Sequence, residues 1–174
     1  MVELIVAISI MAILATLAIP NIQDVLRNNR ITAQSNELIA IINLARNEAI
    51  RRNLDLLGDE DVVLRLDATT NGWNGNVVVT AGDTNPDCPV GVIRCINNTQ
   101  VELTPGTTDI RFDSRGYLVS FQPITVCLRH AGACRGDRQH RVVEIWPSGR
   151  VQADQFLACD ASCPGFEDDD EGGT

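Results

Sequence analysis

The chain has 174 residues, 44% of them apolar and 21% charged, which is enough apolar material to bury a core and excludes a wholly disordered protein. The formal net charge is −9, and Glu167, Asp168, Asp169, Asp170 and Glu171 concentrate part of it near the end. An acidic average excludes a general nucleic-acid binder and leaves room only for a local basic patch.

The first element is apolar. Residues 4–19 carry no charge, and sixteen helical residues span about 24 Å, slightly short of a bilayer core of about 30 Å. A cleaved secretory signal fits badly. No basic residue precedes the run, no small-x-small site ends it, and helix-like sequence continues through Asn53. Glu3 is a carboxylate at the edge of this run. It has two readings, a surface residue favoured by a helix N-terminus or a group that meets a positive partner in an assembly. Pro20 closes the run and should kink a continuing helix. Beyond it the pattern becomes amphipathic. Ile31, Leu38, Ile41 or Ile42, Ala45 and Ala49 recur at three- and four-residue spacing, while Gln34, Glu37, Asn43, Arg46 and Asn47 fill other faces. One helix of about 50 residues would run some 75 Å. Its first half must find lipid or other helices, and its second half must find its own sheet.

Residues 56–61, with Gly58, read as the helix exit. Strand-like runs follow at 62–66, 77–80, 90–96, 101–103, 110–112, 117–121, 125–129 and 142–146. Turn signals separate them, among them Asn71-Gly72, Asn74-Gly75, Ser114-Arg115-Gly116 and Pro147-Ser148-Gly149. The class is α+β, a long N-terminal helix packed on an antiparallel sheet pair or small sandwich. The expected division is an apolar assembly half of the helix at 1–27, an amphipathic half at 28–58, a disulfide-bonded β-rich head at 59–164 and an acidic flexible tail at 165–174.

Six cysteines, Cys88, Cys95, Cys127, Cys134, Cys159 and Cys163, all lie in the C-terminal half. An even count in a loop-rich region points to disulfides and an oxidising compartment. Spacing favours the local pairs 88 with 95, 127 with 134 and 159 with 163. The competing reading is zinc on Cys127, His130 and Cys134, but no CxxC pair occurs and a fourth ligand is missing. No metal and no cofactor are expected.

No catalytic constellation stands out. His130 and His140 lie in one Arg-rich region without a nucleophile at hand, and no phosphate-binding glycine loop occurs. The polar cluster with chemical interest is Arg129, Arg135, Arg138, Arg141 and Arg150 with the two histidines. On one face these guanidinium groups would track a phosphate backbone; otherwise they are a solvated loop.

The run VELIVAISIMAILATLAIP, residues 2–20, resembles the N-terminal segment of type IV pilins and type II secretion pseudopilins. The family's glutamate falls on Glu3 and its helix-kinking proline on Pro20. NLARNEAIRRN at 43–53, GWNGNVVV at 72–79, FDSRG at 112–116 and PSGRV at 147–151 are similar to the narrower group of FimT, FimU and GspH. The resemblance implies a pilin fold and a non-enzymatic subunit that assembles with other pilins or pseudopilins. It implies a single helix in the inner membrane, a periplasmic head, and later residence in a pilus or pseudopilus. It implies that Glu3 meets a neighbour's N-terminal amine and that a basic leader with a Gly-Phe-Thr-like processing site precedes the mature chain. On that pattern Met1 is an internal methionine, or a leader has been removed from the sequence. Taken alone, Arg27 and Arg30 would put the C-terminal side in the cytoplasm, whereas the cysteines put it outside. DNA-binding members carry Gly-Arg-x-Arg; here the match is Gly149-Arg150-Val151-Gln152, with the second Arg replaced. A structural role that primes or caps a filament therefore leads, with a DNA-binding minor pilin for uptake in natural transformation as the alternative and a membrane-anchored exported enzyme or metal-binding domain as a further one.

Overall fold

The computed structural model describes residues 2–53, 62–69, 72–79, 87–89, 91–104, 107–130 and 140–153, without the side chains of 14–21, 79 and 107. Helix α1 runs Val2–Arg52, continuous through Pro20. It ends where Asn53 turns to φ 51°, a left-handed conformation that asparagine tolerates, and its N–H returns to the Ile50 carbonyl at 3.1 Å. Arg51 and Arg52 occupy the last turn, where cations suit the helix dipole. The exit expected at 56–61 lies outside the described residues.

Eight strands follow: β1 Val62–Thr69, β2 Gly72–Val79, β3 Val92–Thr99, β4 Val101–Thr104, β5 Thr107–Arg111, β6 Ile124–His130, β7 His140–Ile145 and β8 Val151–Ala153. They form two antiparallel four-stranded sheets, ordered β3-β2-β1-β5 and β4-β6-β7-β8. The chain crosses from the first sheet to the second at Gln100, whose φ of 67° breaks the extended backbone between β3 and β4. The expected α+β arrangement of a long helix on paired antiparallel sheets is the one observed.

The second half of α1 packs on strands of both sheets. Ile31, Leu38, Ile41, Ile42, Ala45 and Ala49, the stripe read from periodicity, are all buried in one core with Leu64, Leu66, Trp73, Ile110, Leu128 and Ile145. Gln34 departs from the expectation that it faces outward. It is buried, accepts from Trp73 Nε1 at 3.0 Å and donates to the Thr99 carbonyl at 2.9 Å. A buried amide is retained when its donor and acceptor both find partners.

Three strand readings change. Asn74-Gly75 is not a turn but part of β2, since Gly75 leaves room for the Trp73 ring and Ile41: a Cβ there would sit 3.0 and 3.3 Å from them. Residues 117–121 form turns rather than a strand. Asp113 Oδ1 accepts from the Arg115 and Tyr117 N–H groups at 3.0 and 2.8 Å, and Phe121 N–H bonds the Leu118 carbonyl. One bridge, Phe112 to Leu118, is all the pairing this stretch makes among the described residues. Strand β8, only three residues long, has no signal of its own and is held by its register on β7.

Candidate functional site

The short motifs converge on two junctions between helix and head. At the first, Trp73 from the GWNG segment is fully buried against Gln34, and Asn98 on β3 donates to Glu37 Oε2 at 3.0 Å. At the second, Arg46 reaches from α1 across two turns. Its Nε donates to the Gly116 carbonyl at 3.0 Å, and its Nη2 lies 3.4 Å from the Ser148 carbonyl. Gly116 and Gly149 adopt φ of 80° and 75°. A Cβ at Gly116 would lie 2.7 Å from Arg46 Nε, and a Cβ at Gly149 would overlap the Gly116 carbonyl. The turns are tied to each other by Leu118 N–H to the Pro147 carbonyl at 2.9 Å. One guanidinium thus ends the helix–head interface by capping two loop carbonyls, a use that needs Arg's planar fork.

The expected arginine cluster divides. Arg129 on β6 is bonded to Glu102 Oε2 at 3.0 Å and pairs in register with His140. Arg150 lies beside β8, where its Nη2 donates to Gln152 Oε1 at 3.0 Å. Along β7 and its exit their neighbours His140 and Trp146 are six residues apart, about 20 Å. Arg141 lies on β7, next to His140 at the Arg129 end. Arg135 and Arg138 lie outside the described residues. His140, expected in the polar loop, is buried. His130 is half-buried, and burial, then the charges of Arg27 and Arg30, hold its imidazole below the usual range.

Cys88 and Cys95 form the expected disulfide. Cys127 is also disulfide-bonded, to a residue outside the described ones, which removes the thiolate that zinc binding by Cys127, His130 and Cys134 requires. Cys134, Cys159 and Cys163 lie outside the described residues, so their pairings do as well. Among the described residues no group of three or more His, Cys, Asp or Glu side chains is placed to hold a metal ion. A groove of about 250 Å³ between α1 and β3 is lined by Glu37, Ala40, Ile41, Leu44, Arg94 and Ile96. Its one carboxylate is already engaged by Asn98.

The N-terminal half of α1 has no head against it. Val2, Leu4, Ile5, Val6, Ile8, Ile10, Met11 and Ile13 are exposed, as are Ile22, Val25 and Leu26. Glu3 is exposed in the first turn. Among the described residues no helix is long and apolar enough to cross a membrane.

The family model for the type II transport protein GspH matches residues 34–149, from the polar junction on α1 to the glycine beneath Arg46. The chain belongs to the GspH family. This is a family of pseudopilins and minor pilins, and the long helix with a β-rich head fits a pilus or pseudopilus subunit. The fold is that of the type IV minor pilin FimU of Pseudomonas aeruginosa. One crystal form of FimU superposes with a TM-score of 0.51 at 19% identity, covering 72% of this chain and 89% of FimU. A second form gives a TM-score of 0.49, 19% identity and coverage of 71% and 91%. No curated protein sequence is a significant match. The motifs of the GspH-like chain are therefore the packing joints of a pilin fold, and Glu3 and Pro20 lie N-terminal to the matched span.

Proposed function

We propose that this chain is a structural, non-enzymatic subunit that waits in the inner membrane with its head in the periplasm. It then enters a pilus or pseudopilus through α1 and helps to prime or cap the filament, with other pilins or pseudopilins as its partners. The observation that carries this reading is the asymmetry of α1. Residues 31–49 bury their stripe in the head, while the apolar side chains described from Val2 to Ile13, and Ile22, Val25 and Leu26, stay exposed. A helix segment apolar on every side needs lipid or other helices around it. The Cys88–Cys95 bridge supports a head outside the cytoplasm. Two experiments test the reading. Glu3→Leu should leave the head folded and remove the chain from sheared filaments; normal incorporation of this variant would count against the assembly role of Glu3. Deleting the chain should lower the number of filaments per cell more than their length; an unchanged number would sink the priming role.

A second reading, weak DNA binding, rests on Arg150 and Gln152 lying exposed on one side of β8. Gln152→Arg would complete Gly-Arg-x-Arg there and should strengthen a salt-sensitive, sequence-indifferent affinity, while Arg150→Ala should weaken it. If neither the natural chain nor Gln152→Arg binds DNA at low salt, this reading is wrong.

A further inference from the structure

We propose that Arg27 and Arg30 form a basic collar at the root of the head, which engages the phosphates of an anionic phospholipid surface while α1 is held in a bilayer. The inference rests on the membrane-anchored stage proposed above and adds the lipid chemistry that stage selects.

The collar is defined by position and charge. In the N-terminal half of α1 the last exposed apolar residue is Leu26, and Arg27 follows immediately. Arg30 is one turn further on, so the two guanidinium groups share a side of the helix. Neither forms an ion pair among the described residues, in contrast to Arg51, Arg52, Arg65 and Arg129, which all face carboxylates. The end of β6 comes to the same level, since the charges of Arg27 and Arg30 are felt at His130. Among the described residues the nearby carboxylates are few. Asp24 lies one turn earlier on α1, and Glu102 is engaged by Arg129. Core burial of the helix begins just above, at Ile31.

Depth is consistent with headgroups. From Leu4, about 20 helical residues cross a hydrocarbon layer of about 30 Å, ending near residue 23. Arg27 and Arg30 then lie roughly 6 and 10 Å beyond it. The headgroup layer is roughly 5–8 Å deep on each side, within reach of a snorkelling arginine. Arginine pairs with phosphate in a two-point geometry, and each basic residue near an anionic surface raises affinity about five-fold.

The test uses the full chain diluted from mild detergent into phosphatidylcholine vesicles, or into vesicles of equal parts phosphatidylcholine and phosphatidylglycerol, with partitioning read by flotation. The natural chain should partition more strongly into the mixed vesicles, and high salt should erase the difference. Arg27→Gln/Arg30→Gln should lose roughly five-fold of that preference per arginine, with partitioning into neutral vesicles unchanged. Arg94→Gln, an exposed arginine on β3 away from the helix root, should keep the full preference. Equal partitioning of the natural chain into both vesicles, or an undiminished preference in the double variant, overturns the collar and leaves membrane anchoring standing. Failure to enter either kind of vesicle overturns the anchoring reading, and the collar with it.

Discussion

Arg46 on α1 and Gly116 in the β5–β6 connection, 70 residues apart in the chain, meet through a 3.0 Å bond from Nε to a backbone carbonyl. That bond fastens the C-terminal end of the helix to the head. Arg46→Lys should weaken it, because an ammonium does not reproduce the planar pair of donors aimed at Gly116 and Ser148. Loss of a charged hydrogen bond to the part-buried Gly116 carbonyl, with the exposed contact to Ser148, is expected to cost about 1.5–3 kcal/mol. Urea unfolding of the full chain in detergent measures it, and an unchanged midpoint would mean the contact carries no stability.

Gly149→Ala should be worse than its size suggests. The residue has φ of 75°, and the added methyl would overlap the Gly116 carbonyl and press on Arg46. Backbone strain and clash together should cost about 2–4 kcal/mol, whereas Arg115→Ala on the exposed turn should stay within about 0.5 kcal/mol. Thermal unfolding of both variants makes the comparison.

Stability should fall as the pH drops below His130's ordinary value of about 6.5. Its folded-state pKa is depressed by burial first and by Arg27 and Arg30 next, with Glu102 opposing. A depressed group contributes stability that is present above the unfolded pKa and lost as pH falls through the folded one. Glu48 and Asp109 add losses at lower pH. Their carboxyls are held below 4.5 and 3.8 chiefly by hydrogen bonds from Arg51 and Arg65. His130→Gln should flatten the upper part of the curve and leave the lower part. Unfolding midpoints measured across pH 3–7.5, a range about the reference pKa values, would refute this if the two curves were parallel.

Cys88→Ser/Cys95→Ser should loosen the approach to β3 without unfolding the core. The bridge closes a separation of seven residues, worth about 2–3 kcal/mol in the chain-entropy account. Hydrogen exchange at residues 92–96 should rise, with the amides of β6 and β7 unchanged. Uniform acceleration across both sheets would show that the bridge supports the whole head.

Parts of this architecture were legible because their causes are local. The burial of Ile31, Leu38, Ile41, Ile42, Ala45 and Ala49 follows from helical periodicity. The turn at Pro147-Ser148-Gly149 follows from residues that set their own dihedrals, and the Cys88–Cys95 bridge from short separation. The polarity of Gln34 pointed outward, and only the approach of Trp73 and Thr99 made burial tolerable. Residues 117–121 have the composition of a strand, yet Asp113 takes their first donor into a turn.

The sequence by itself determined a chain with an apolar helix, an amphipathic continuation and a bridged β-rich head, since each depends on residue spacing over a few turns. Only the tertiary structure decided which distant pieces meet. It joined Arg46 to Gly116 and Ser148 and set Arg129 about 20 Å along the β7 direction from Arg150. It also left Arg27 and Arg30 without an ion pair among the described residues at the foot of the head. Such placements depend on strand register and on the helix–sheet crossing, where contacts between residues 70 or 102 apart leave no periodic trace in the chain.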